Sequence, residues 1–113
     1  MNYKHNIIIV GSGLVGMAFA LSLSKKKINV TILEKNSKSD FLKYKDFRTS
    51  AISQGSSRIL TKIDVWQKII KQAQPINEIK VSEGNNFSGI EFKSSLLGEG
   101  PLGYIVNNSL LKK

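Results

Sequence analysis

The chain has 113 residues, with 17 Lys and Arg against 8 Asp and Glu, giving a formal charge of +9. That length holds one domain at most and excludes a two-domain enzyme within these residues. The absence of Cys excludes disulfides and thiolate chemistry, and a single histidine, His5, excludes a His-built metal centre or a Ser-His-Asp set.

Residues 6–10, with the apolar, β-branched run Ile7-Ile8-Ile9-Val10, predict a strand buried on both faces, as in a parallel sheet. Gly11-Ser12-Gly13-Leu14-Val15-Gly16 follows at once, and residues 14–24 read as a helix with Leu14, Met17, Ala18 and Leu21 on one face. A second strand at 30–33 ends at Glu34, completing a β-α-β unit of about 30 residues. Residues 35–48 are polar and of mixed charge and read as a loop. Helices are predicted at 50–62 and 65–72, the second before Pro75. Alternation at 76–82 predicts a strand, Gly84-Asn85-Asn86 a turn, and 90–92 the returning strand. Residues 102–106 give a last strand. Asn107-Asn108-Ser109 resembles a helix start with too little chain after it for a helix to form. The end of the first helix lacks the usual glycine, so Asn29 is expected to take a left-handed conformation there.

Lysine accounts for 15 of the positive residues and is scattered, and Lys25-Lys26-Lys27 sits at a predicted helix end where positive charge suits the dipole. No arginine-rich, aromatic-interleaved face exists, so no nucleic-acid role is expected. Weak attraction to an anionic membrane surface is the better match for this charge. Ile7-Ile8-Ile9-Val10 is far short of a membrane span or a signal-peptide core. The chain is therefore expected in the cytoplasm, at most peripheral at the inner membrane.

The first 34 residues carry a mechanism. Gly11 permits the tight turn, Gly13 lets a pyrophosphate approach the backbone, and Gly16 lets the helix pack on the sheet. The turn through Ser12 to Leu14 presents main-chain N–H groups at a positive helix end. Glu34 lies eighteen residues after Gly16, where a carboxylate accepts hydrogen bonds from an adenosine ribose. An acid there also disfavours the 2′-phosphate of NADP. These residues do not choose between FAD and NAD, because both present ADP.

The following segment does choose. Asp46-Phe47-Arg48-Thr49-Ser50-Ala51-Ile52-Ser53-Gln54-Gly55-Ser56 resembles the D-G-R-x-x-A-L-x-x-G-S stretch of FAD-dependent hydroxylases of ubiquinone biosynthesis, flavin monooxygenases of the p-hydroxybenzoate hydroxylase type. Ile59-Leu60, Ile63-Asp64-Val65-Trp66, Ala73-Gln74-Pro75-Ile76, Ile79-Lys80-Val81-Ser82 and Leu102-Gly103-Tyr104-Ile105-Val106-Asn107-Asn108 continue the resemblance in register. Phe47 and Asp64 stand where the family has glycines, and Asn107 where it has an acid. The resemblance implies an α/β, Rossmann-like βαβ FAD-binding domain, of which this is the N-terminal part. Residues 1–34 would form the ADP-binding unit, and the strands within 76–106 would begin a β-rich substrate domain.

It further implies FAD as cofactor, held by Gly11, Ser12, Gly13, Leu14, Gly16 and Glu34. Arg48 would lie near the phosphates or ribityl chain; without the resemblance it reads as a solvated loop arginine. In the family, NAD(P)H reduces the flavin, and O₂ then hydroxylates an activated ring of a polyprenyl-phenol substrate. No catalytic side chain and no metal ligand is expected among these residues. Trp66 and Tyr104 read as core, His5 as solvated, and Ser53 and Ser56 as polar helix positions. The family's D-G and G-D motifs would lie after residue 113, so the expected assembly includes a remainder, continuous with this chain or encoded separately. A stand-alone nucleotide-binding module and a non-functional remnant of a split gene stay open as alternatives.

Overall fold

The computed structural model describes residues 5–43, 45–85, 88–98 and 100–112. Strand β1 (His5–Val10) runs parallel to β2 (Ile28–Leu33), with His5 opposite Ile28 and Val10 opposite Leu33. Helix α1 (Leu14–Leu23) makes the crossover between them. This is the predicted β-α-β unit. α1 is apolar all round: Ala18, Ala20 and Leu23 are half-buried, whereas Met17 and Leu21 of the predicted inner face are exposed.

α1 ends without a left-handed residue. Lys26 N–H donates to the Leu23 carbonyl and Ser24 Oγ to the Leu21 carbonyl. Asn29 lies inside β2, and its Nδ2 donates to Asn6 Oδ1 at 3.0 Å, so the expectation for Asn29 fails: the turn closes through serine and lysine instead. The non-glycine residue with positive φ among those described is Asp64, at 61°. It occupies a position where the resembling family carries glycine, and aspartate tolerates this region better than most residues. Lys25 Nζ donates to Asp64 Oδ2 at 3.0 Å and so ties the end of α1 to this turn.

Two further expectations need correction. The polar stretch 35–48 contains helix α2 (Lys38–Lys43). Ser37 Oγ accepts from the Asp40 N–H and donates to the Asp40 carboxylate, a local cap that composition alone conceals. The helix expected at 50–62 is divided: Thr49–Ser53 is strand β3, and α3 (Gln54–Lys62) starts only after it. Ser53 is the N-cap, its side chain accepting from the Ser56 N–H at 3.1 Å.

β7 (Gly103–Asn107) is the centre of a three-stranded antiparallel sheet, between β3 and β4 (Gln74–Ile76). Helix α4 (Trp66–Ile69) and a 3₁₀ turn (Ile70–Gln72) fill the predicted 65–72 helix. Strand β5 (Glu78–Ser82) pairs with β6 (Gly89–Lys93) as a separate hairpin, with Ile79 opposite Phe92 and Val81 opposite Ile90. Gly84 in the connecting turn has φ of 57°; Asn86 of the predicted turn lies outside the described residues. Short helices α5 (Ser94–Leu97) and α6 (Asn108–Leu111) complete the elements. α6 corrects the expectation that no helix would follow Asn107: Asn107 Oδ1 caps the Ser109 N–H at 3.0 Å, which is enough for one turn.

The core sits over β7. Val106, Trp66 and Ile69 are buried together, with Ile52, Leu60 and Tyr104 packed against them. Trp66 and Tyr104 meet edge to face, with ring centroids 5.0 Å apart, so both aromatics serve packing as the sequence suggests. Among the described residues, no helix is long and apolar enough to cross a membrane. Because Trp66 anchors a small core, Trp66→Ala should destabilise the sheet by about 3–5 kcal/mol. Urea unfolding followed by circular dichroism checks this, and Trp66→Phe should recover much of the loss.

Candidate functional site

The site begins where β1 ends. Gly11 turns with φ of 97°, a conformation that side chains avoid, and its N–H donates to the Leu33 carbonyl at 2.7 Å. The turn is thereby pinned to the end of β2. Gly13 is the N-cap of α1 and makes no side-chain cap, so the first-turn N–H groups face outward uncovered by a capping side chain. A Cβ on Gly16 would lie 2.5 Å from the Gly11 carbonyl oxygen, so glycine is what lets α1 settle onto the turn.

Glu34 follows β2 and points back at the turn. Its Oε2 accepts from the Ser12 N–H at 2.8 Å and from Ser12 Oγ at 2.6 Å, and its Oε1 accepts from the Asn36 N–H at 3.1 Å. The Ser12 hydroxyl, then the Ser12 amide, then the Asn36 amide stabilise the carboxylate and lower its pKa from 4.5 to about 2.

A cavity of about 660 Å³ opens over this turn. Gly11, Gly13, Leu14 and Gly16 line it together with Arg48, which arrives from a separate segment. Five of the seven residues expected from the sequence therefore line one cavity. Ser12 and Glu34 do not line it; they grip each other next to it.

The structure adds residues that sequence reasoning missed. Asp46 is buried, at 3% exposure, and its carboxylate collects four donors. Oδ1 accepts from Arg48 N–H at 3.1 Å and Arg48 Nε at 2.9 Å, and Oδ2 accepts from Arg48 Nη2 at 2.8 Å and Lys112 Nζ at 3.0 Å. The Arg48 guanidinium, then the Lys112 ammonium, hold Asp46 well below the usual carboxylate range. Asn108 N–H donates to the Arg48 carbonyl at 3.0 Å, and the Asn108 side chain accepts from Ser50 Oγ. Lys112 and Asn108 also line the cavity. Asp46, two residues before Arg48, had a local signal in its spacing. Lys112 is 66 residues away and had none.

Comparison with known proteins gives a consistent setting for this geometry. The family described as FAD binding domain matches residues 4–109. The chain is 32% identical over 109 residues to the ubiquinone hydroxylase UbiL of Rhodospirillum rubrum, covering 96% of this chain and 25% of that protein. It is 32% identical over 119 aligned positions to the 3-demethoxyubiquinol 3-hydroxylase of Escherichia coli, covering 99% of this chain and 29% of that protein. It is also 25% identical to the ubiquinone hydroxylase UbiM of Neisseria meningitidis, covering all of this chain and 26% of that protein. The chain thus spans about a quarter of the length of the curated relatives it matches.

Two outcomes follow from the turn. Because the pKa of Glu34 is depressed in the folded state, its contribution to stability is present above pH 4.5 and is lost as pH falls toward about 2. Amide spectra of Ser12 and Gly13 recorded through an acid titration should show the turn loosening in that window, and Glu34→Gln should abolish the pH dependence there. Gly16→Ala forces α1 away from the Gly11 carbonyl and should weaken dinucleotide binding at least about tenfold, measured by titration calorimetry.

Proposed function

Because the chain belongs to the FAD binding domain family, we propose that it forms the ADP-gripping N-terminal part of an FAD-dependent monooxygenase that hydroxylates an aromatic, polyprenylated ubiquinone precursor. The observation that carries this reading is the sharing of one cavity by the glycine turn and Arg48. The residues fit a bound dinucleotide. Gly13 lines the cavity and nothing lies within 4 Å of where its Cβ would stand, so the missing side chain is not explained by protein packing. A diphosphate has room to approach the main chain there.

In this reading the N–H groups from Gly13 into the first turn of α1 bind the phosphates, helped by the helix dipole. Arg48 pairs with a phosphate or lies along the ribityl chain. Glu34 both shapes the turn through Ser12 and keeps acceptor capacity on Oε1 for a ribose hydroxyl. Bound FAD supplies the redox chemistry: two electrons from NAD(P)H reduce O₂, one oxygen atom enters the ring, and the other leaves as water. This chain contributes binding and orientation and no acid–base pair.

The surfaces support assembly with the rest of the family fold, either continuous with this chain or encoded separately. β5 and β6 leave Ile79, Val81, Ile90 and Phe92 exposed on one face of their hairpin, which suits the start of a substrate-domain sheet. A polyprenyl substrate and a basic surface favour a cytoplasmic protein peripheral to the inner membrane.

The test is direct. The purified 113-residue chain should bind FAD in competition with ADP, should lose flavin on gel filtration, and should hydroxylate no phenol on its own. A chain that binds neither FAD nor ADP overturns the assignment. A yellow preparation with stoichiometric flavin overturns the need for the remaining fold.

A further inference from the structure

Asp46 is a puzzle for an anion site. A carboxylate on the cavity wall repels phosphate, yet it is buried and collects every donor just described. Its geometry resolves the puzzle. By taking the Nε and Nη2 edge of Arg48, Asp46 fixes the plane of a guanidinium whose side chain is otherwise 73% exposed. By taking Lys112 Nζ on the same Oδ2, it holds a second cation in place, brought by α6 from the far end of the described chain. The Asn108 N–H on the Arg48 carbonyl braces the same segment from the same helix.

The geometry points to Asp46 as a positioning residue for a bound diphosphate: its buried carboxylate sets Arg48 and Lys112 together at the cavity that they line with the glycine turn. Lys112 is then a second cationic contact for the phosphates, beside Arg48. This rests on the dinucleotide reading above and extends it to two residues outside the glycine fingerprint. Asp46 touches no ligand itself; it removes the rotational freedom that two long cationic side chains would otherwise lose on binding.

Asp46→Asn gives the inference a sign. The variant keeps the shape of the side chain and raises the net charge by one. If the cations acted only through general attraction, FAD and ADP would bind more tightly. If Asp46 positions them, both ligands bind at least about fivefold more weakly, while adenosine, which lacks phosphate, is unaffected. The experiment titrates the 113-residue chain with FAD by flavin fluorescence and with ADP and adenosine by competition or ligand-observed NMR, with circular dichroism reporting the fold.

Lys112→Met is the second variant and should lower ADP affinity about threefold, again leaving adenosine unchanged. ADP binding by Asp46→Asn that is equal to or tighter than wild type overturns the inference, as does an equal loss of adenosine and ADP, which marks a merely structural role. If Asp46→Asn does not fold, undiminished ADP binding by Lys112→Met overturns it. Wild-type chain that binds neither nucleotide overturns the dinucleotide reading and this inference with it.

Discussion

The grip of Glu34 on Ser12 is the contact from which the site is built. It joins the residue after β2 to the residue after β1's first turn glycine, so two strand ends are held in register by one carboxylate as well as by the ladder. Both ends of the interaction are fixed by neighbours: Gly11 N–H is bonded to the Leu33 carbonyl, and Asn36 N–H to the other Glu34 oxygen. The protein's own contacts therefore fix the shape of the turn.

The β-α-β unit was legible because every signal for it is local. The β-branched run, the glycine spacing and the following acid lie within 34 residues, and each agrees with the others. Arg48 became legible only through resemblance, since an arginine in a polar loop has no periodicity to mark it. What the sequence concealed depends on distant partners. Thr49–Ser53 is a strand because β7 pairs along it, from Thr49 opposite Asn107 to Ser53 opposite Gly103, and those partners are at least fifty residues away. Local propensity at Ser53 alone was consistent with helix, and it does start one, as the cap and not the interior. Lys112 at Asp46 is the same kind of miss: no spacing rule anticipates it.

Substitutions away from the resembling pattern have separable effects. Asp64 replaces glycine at a left-handed position and acquires Lys25 as a partner, so its backbone strain comes with an ionic contact between α1 and the turn before α4. The pair is exposed, and surface pairs of this kind contribute little. Phe47, also in place of glycine, is 85% exposed and leaves the Asp46–Arg48 chelate intact on either side of it.

Among the described residues β1 pairs with β2 alone, which leaves its other edge bare. That edge belongs to Ile7-Ile8-Ile9-Val10, four uncharged, β-branched residues with no proline, and Val10 is 83% exposed. Such a segment offers hydrogen-bonding groups to any extended chain of similar character, including another copy of itself. Insolubility of this polypeptide would therefore start at the strand that opens the nucleotide fold, and a neighbouring strand laid along it would act as protection against aggregation as much as a structural complement.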